Sequence, residues 1–162
     1  MWAHYASSHQ GFLVEFDSSS AFFNQPKKNQ DGLYGSLMPV SYSFDRPAIT
    51  MLDPTDDSWP QRLTVQTLLC KSLDWSYEKE WRMFLPLNDP SRSAQHVVDN
   101  RFFLFEFPPD ALTAVVFGAR ASDETKAEVS AILKSTTEMR HVRILAATIS
   151  VHRFEVTIGN PA

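Results

Sequence analysis

The chain has 162 residues, 43% of them hydrophobic and 21% charged, with a formal net charge of −4; that length suits one domain with a sizeable core and that composition excludes wholesale disorder. The acidic balance excludes a basic footprint for generic nucleic-acid binding, and the longest apolar runs, such as Phe102 to Phe105, fall far short of a membrane span. Cys70 is the only cysteine, which excludes an intramolecular disulfide and makes the cytoplasm the expected home.

The opening Met1-Trp2-Ala3-His4-Tyr5-Ala6 has neither the basic start nor the apolar run of a signal peptide. Residues 1–9 predict a short helix closed by Gly11 in a left-handed conformation, followed by an extended run from Phe12 to Phe16. An aromatic-rich helix at residue 2 has no preceding element to pack against, so a further segment upstream is expected. Ser18 to Gly35 is polar and reads as a loop or hairpin connection. Leu37 to Phe44 resumes an extended pattern with Val40, Tyr42 and Phe44 on one face.

Leu52 to Trp59 reads as a second loop, after which Pro60 suits the first turn of a helix. From Gln61 to Leu73 the apolar positions Val65, Leu68, Leu69 and Leu73 keep helical spacing. Cys70 falls inside that pattern and reads as a buried, inert thiol rather than a nucleophile.

The stretch Trp75-Ser76-Tyr77-Glu78-Lys79-Glu80-Trp81-Arg82 predicts a strand. Alternation then puts Glu78, Glu80 and Arg82 on one face and Tyr77, Trp81 and Met83 on the other, whereas a helix would set the two glutamates about 200° apart. On a strand the carboxylates lie about 7 Å apart, two rises of about 3.3 Å, and repel by about 2.4 kcal/mol at an effective dielectric near 20. Arg82 supplies a comparable attraction to Glu80, which is therefore expected to work as an anion, a stabiliser of developing positive charge or a base, rather than as an acid.

Pro86 to Ala94 is another polar connection, with Asn88-Asp89-Pro90 as its turn signal. Arg101 to Phe107 and Thr113 to Phe117 read as strands separated by Pro108-Pro109. Ser122 is the expected N-cap of a late helix with Asp123 and Glu124 in its first turn and Ala127, Val129, Ile132 and Leu133 on its buried side. His141 to Val151 and Phe154 to Ile158 close the chain as strands. The expected fold is one α+β domain over residues 1–162: a mixed or antiparallel sheet with a short N-terminal helix, a central helix and a late C-terminal helix.

Taken together, Trp2-Ala3-His4-Tyr5-Ala6 with His9 and Gly11, Val40-Ser41-Tyr42, Lys71, Tyr77 to Arg82, and Val115-Val116-Phe117-Gly118-Ala119-Arg120 resemble the DUF2971 family of largely uncharacterised bacterial proteins. The resemblance covers essentially the whole chain, and Trp-x-His-Tyr-Ala with Tyr-Glu-x-Glu-Trp-Arg are its specific pieces. Members of that family usually carry several dozen residues before the Trp-x-His-Tyr piece, so the resemblance implies a further segment upstream of Met1.

At the level of pattern, Tyr5 on a helix and Glu-x-Glu on a strand resemble the plan of ADP-ribosyltransferases. That resemblance implies NAD as substrate, with no tightly bound cofactor, and an acceptor of unknown kind. Breaking the N-glycosidic bond of NAD creates an oxocarbenium-like centre, which a fixed carboxylate stabilises. On this plan Glu80 is the catalytic carboxylate and Glu78 orients the acceptor; Tyr5 stacks on the nucleotide, His4 contacts its ribose, and Trp2 and Arg82 complete the binding site. The alternative is a non-catalytic interaction module in a bacterial defence or toxin-like system, with a charge-alternating strand worth about 0 to 1 kcal/mol in ion pairing if exposed.

No metal site is expected. His4 and His9 are spaced i, i+5, which does not bring two imidazoles side by side on a helix as i, i+4 would. Gly118-Ala119-Arg120, between a strand and a helix, could seat a phosphate, but Asp123 and Glu124 would repel it and the turn reads as structural.

Overall fold

The computed structural model describes residues 2–25, 35–47, 63, 66–85, 94–97 and 102–161. In chain order the elements are α1 (Trp2–Tyr5), β1 (Phe12–Phe16), β2 (Met38–Pro39), β3 (Ser41–Ser43), β4 (Cys70–Ser72), β5 (Trp81–Arg82), β6 (Ala94–Val97), β7 (Phe102–Phe105), β8 (Leu112–Phe117), α2 (Asp123–Ser135), β9 (Arg143–Ile149) and β10 (Val156–Gly159). The mixture is α+β, as the pattern predicts. Two compact units divide the chain: Met1–Ser18 with Phe107–Ala162, and Ser19–Glu106.

The first unit is built on a four-stranded mixed sheet in the order β1-β8-β9-β10. β1 pairs antiparallel with β8, β8 runs parallel to β9, and β10 returns antiparallel on β9. In β8, Leu-Thr-Ala-Val-Val-Phe, every residue except Thr113 is buried. Such a run, apolar on both faces, belongs in the interior of a sheet. Its Leu112, Val115 and Phe117 join Ala121, Leu133 and Val142 in the core, with Phe107, Val129, Met139 and Ile144 packed against them.

α2 supplies the crossover that parallel strands require. Ser122 caps it, its Oγ accepting the Thr125 N–H at 3.1 Å, with Asp123 and Glu124 in the first turn and Lys134 in the last, where the helix dipole favours each charge. The buried stripe is narrower than expected. Val129 and Leu133, one turn apart, face the core, whereas Ala127 is exposed and Ile132 is 59% exposed. Leu133→Ala should therefore cost about 2 to 5 kcal/mol and Ile132→Ala about 0.5 kcal/mol or less, read as urea midpoints; equal shifts would contradict this orientation of the helix.

Three boundaries differ from expectation in this unit. α1 ends at Tyr5, and left-handed backbone at Ser7, Ser8 and His9, not at Gly11, turns the chain (φ 46°, 56° and 72°); the Gly11 N–H then closes on the Ala6 carbonyl at 3.0 Å. That turn folds back onto the end of β8. The Gly118 N–H donates to the Gly11 carbonyl and the Arg120 N–H to the His9 carbonyl, both at 2.9 Å. β9 is shorter than the predicted run from His141 to Val151, and β10 begins at Val156, leaving Phe154 exposed in the connecting loop.

The second unit consists of short pairs: β2 antiparallel to β5, β3 parallel to β4, and β6 antiparallel to β7. β7 and β8 lie where the aromatic and β-branched runs place them. Val40 is buried and Tyr42 half-buried, but Phe44, expected on the same face, is exposed. Cys70 corrects a second expectation. It opens β4 and is half-buried, because the helical stretch stops at Leu68 and the chain enters a parallel pairing with β3.

The predicted strand from Trp75 to Arg82 is the largest correction. Leu73–Glu78 forms a 3-10 turn, Lys79 is left-handed with φ 47°, and only Trp81–Arg82 is strand. Two signals outweigh the alternation: Ser72 caps the turn by accepting the Asp74 N–H at 3.4 Å, and Asp74 stands in its first turn. The helix start at Pro60, Val65, the loop from Leu52 to Trp59 and most of the connections at 26–34 and 86–93 lie outside the described residues. Among the described residues no helix is long and apolar enough to cross a membrane.

Candidate functional site

The 3-10 turn has about 3 residues per turn, so residues three apart eclipse one another, and Trp75 and Glu78 share a side. Lys71 on β4 meets both: its Nζ lies 5.0 Å over the Trp75 ring centroid and bonds Glu78 Oε2. Left-handed Lys79 then reverses the chain. Glu80 consequently reaches the same ammonium, with Oε2 3.2 Å from Lys71 Nζ. A regular strand would have held the two carboxylates apart; the turn brings them to one cation.

Arg82 grips Glu80 from the other side with a fork, Nε to Oε1 at 2.6 Å and Nη2 to Oε2 at 3.1 Å. Paired bonds of this kind fix geometry as well as adding energy. Its Nη1 donates to the Leu68 carbonyl. The Glu80 N–H donates to Tyr42 Oη at 2.8 Å, and the Val40 N–H to the Glu80 carbonyl at 2.9 Å. β3, β4, the 3-10 turn and β5 are thus joined by one polar network.

Its electrostatics follow from the partners. Hydrogen bonding to Glu78 holds Lys71 above its ordinary value against desolvation, with Glu80 adding to the effect. The Arg82 guanidinium, helped by Lys71, holds the Glu80 carboxyl below the usual carboxylate range, and Glu80 in turn raises Arg82. Glu78 is 5% exposed while Lys71, Glu80 and Arg82 retain partial exposure. Two cations and two carboxylates cancel formally. Glu80 is an anion, as expected, with three donors already on its oxygens. A group so saturated neither gives a proton near neutrality nor readily takes one.

The aromatics of the same stretch do not form a buried face. Trp75, Tyr77 and Trp81 are 38%, 49% and 59% exposed, and Trp75 and Tyr77 lie against each other at 6.1 Å between ring centroids. Met83 alone of the expected apolar set is half-buried without being exposed.

The predicted residues fall into two groups. Glu78, Glu80 and Arg82 meet in the second unit. Trp2, His4 and Tyr5 stand together on α1 in the first, where Trp2 stacks on His9 at 6.0 Å and 10°, His4 meets Tyr5 edge-on at 6.5 Å, and Tyr5 and His4 are exposed. Lys71 and Tyr42, which tie the network together, were not among the predicted site residues. The signal for them lay in the stretches Val40-Ser41-Tyr42 and Lys71, which carry the family resemblance alongside the Glu-x-Glu piece. Among the described residues no group of three or more His, Cys, Asp or Glu is placed to hold a metal ion.

A family model described as a protein of unknown function, DUF2971, matches residues 1–83, a span that contains α1 and all four members of the charged network. No curated protein matches the chain. No solved structure matches it.

Proposed function

We propose, for a chain that belongs to the DUF2971 family, that the Lys71, Glu78, Glu80 and Arg82 network is the rigid base of a non-catalytic binding module that presents Trp75, Tyr77 and Trp81 to a protein partner. The observation that carries this is the combination of three large exposed aromatics with a network of ion pairs in the same short stretch, whose Lys71 lies over the Trp75 ring. Tryptophan and tyrosine dominate the energetics of protein interfaces, and holding them still in the free protein lowers the ordering cost of binding.

The test is a photo-crosslinking residue placed at Trp75 in cells expressing the protein, with and without the pair Tyr77→Ala and Trp81→Ala. A discrete protein adduct is expected, lost in the double variant although its urea midpoint moves by no more than about 1 kcal/mol, since both side chains are largely exposed. No discrete adduct, or an adduct indifferent to the double variant, would reject the proposal.

A second reading, ADP-ribosyl transfer from NAD, is favoured by one observation: Glu80 is held ionised, the state a stabiliser of an oxocarbenium-like centre needs. On it Glu80 and Glu78 keep the catalytic roles and Arg82 binds the nucleotide. The two cations on Glu80 weigh against it by cancelling much of that field. Nicotinamide release on incubation with NAD decides between the two readings.

A further inference from the structure

The first unit contains a cleft of about 510 Å³ lined by His9, by Ser150, His152, Arg153 and Glu155 of the loop joining β9 to β10, and by apolar residues that include Phe154. Its position follows from the topology. β8 and β9 run parallel with Phe117 opposite Ala146, so their carboxyl ends point to one edge of the sheet. The His9 carbonyl is bound by the Arg120 N–H just past β8, and the loop leaves β9 after Ile149. The cleft therefore lies outside the carboxyl ends of a strand–helix–strand unit, the place where sheets with parallel strands receive ligands. Its volume is that of a small-molecule site.

The lining is chemically specific. Ser150 Oγ accepts the N–H groups of both His152 and Arg153, at 3.3 and 3.1 Å, and the Ser150 N–H closes the loop on the Glu155 carbonyl at 3.1 Å. His152 and Arg153 are exposed, and neither side chain has an ion-pair partner among the described residues. Glu155 is the one acid on the wall. His9 is held in left-handed backbone, and its Nδ1 is buried with no hydrogen-bond partner among the described residues. A desolvated, unpartnered polar atom on a non-glycine residue with positive φ combines two costs that folded proteins concentrate at functional sites.

We infer that this cleft binds a small organic oxyanion, a phosphate monoester or a carboxylate, with Arg153 and His152 donating charge-assisted hydrogen bonds, His9 as the third polar contact, and Phe154 lying against the ligand's apolar body. Arginine suits planar, paired recognition of either oxyanion. All but one of the lining residues lie outside the span matched by the family model, so the site is independent of the aromatic surface proposed above.

Calorimetric titration with phenyl phosphate, benzoate and phenol tests it, alongside NMR of the histidine ring resonances. One of the two anions is expected to bind and to shift the His9 and His152 rings, with phenol silent; which anion binds tighter identifies the oxyanion. Arg153→Gln should weaken binding about 10- to 100-fold, the range for losing a hydrogen bond to a charged group, while Lys134→Gln on α2 leaves it unchanged. Absence of binding by both anions up to about 10 mM, binding of phenol as tight as that of the anions, or full affinity in Arg153→Gln would overturn the inference. The ring shifts of the unsubstituted protein stand as a test even if a variant folds poorly.

Discussion

Gly118→Ala is expected to destabilise the protein by about 3 kcal/mol or more. A Cβ at this position would stand 2.2 Å from the His9 carbonyl oxygen, 2.7 Å from its carbon and 2.8 Å from the Gly11 oxygen. All three are backbone atoms, which cannot swing aside as a side chain would. Overpacking costs about 1 to 3 kcal/mol where neighbours can adjust. Here the adjustment also pulls apart the Gly118 to Gly11 and Arg120 to His9 hydrogen bonds, each worth about 1 kcal/mol. Gly159→Ala is the control, since nothing lies within 4 Å of its Cβ position, and its urea midpoint should barely move. A Gly118→Ala protein as stable as the control would mean that the N-terminal turn does not rest on the end of β8.

Lys71→Met is expected to produce the largest loss in the second unit, because one ammonium serves both Glu78 and Glu80. Its removal takes that ammonium from Glu78, whose side chain is only 5% exposed, and breaking a buried ion pair by removing one partner costs far more than the pair contributes. Lys71→Met combined with Glu78→Gln should recover most of the loss, since both members of the pair are then uncharged. Lys126→Met, which breaks only an exposed pair with Asp123, should change little. Failure of the double variant to recover would assign the Lys71 effect to lost packing on Trp75 instead.

The same network sets a pH dependence. Glu80 is depressed in the folded state, so its contribution is complete above the ordinary carboxylate range and is lost as pH falls through the lowered folded value. Lys71 is raised, so its contribution is complete below the ordinary lysine value and is lost only as pH rises through the raised one. Denaturation midpoints should hold a plateau between these limits, and Glu80→Gln should flatten the acid side and also lessen the alkaline loss, because Glu80 contributes to the raising of Lys71.

What was legible in the sequence was whatever local chemistry decides. Ser122 with Asp123 and Glu124 marked the start of α2, and the β-branched and aromatic run at 112–117 marked the buried central strand, because caps and strand-forming runs act within a few residues. The Glu-x-Glu stretch imitates a strand through its alternating charge, while the Ser72 and Asp74 pair that starts a 3-10 turn lies just before it. The pairing of Arg82 with Glu80 was still readable, since it spans two residues. Lys71 was not, because its reach to Glu78 and Glu80 depends on the left-handed reversal at Lys79, a conformation that no residue type there announces. The narrow stripe of α2 was likewise hidden: Ile132 and Leu133 look alike in sequence, and only the core they meet tells them apart.

The pairing of β1 with β8 also bears on how the protein is made. Glu15 finds its Thr113 partner across 98 positions of chain, with the whole of the second unit encoded between. At about 5 to 20 residues per second, the ribosome releases Phe12, Leu13, Val14 and Phe16 roughly 5 to 20 s before the strand they will join exists. During that interval an apolar strand with two open edges is a target for chaperones and for mispairing between nascent chains on the same message. Synonymous codon changes that slow elongation between the two strands should therefore raise aggregation of newly made protein without altering the stability of the molecules that fold.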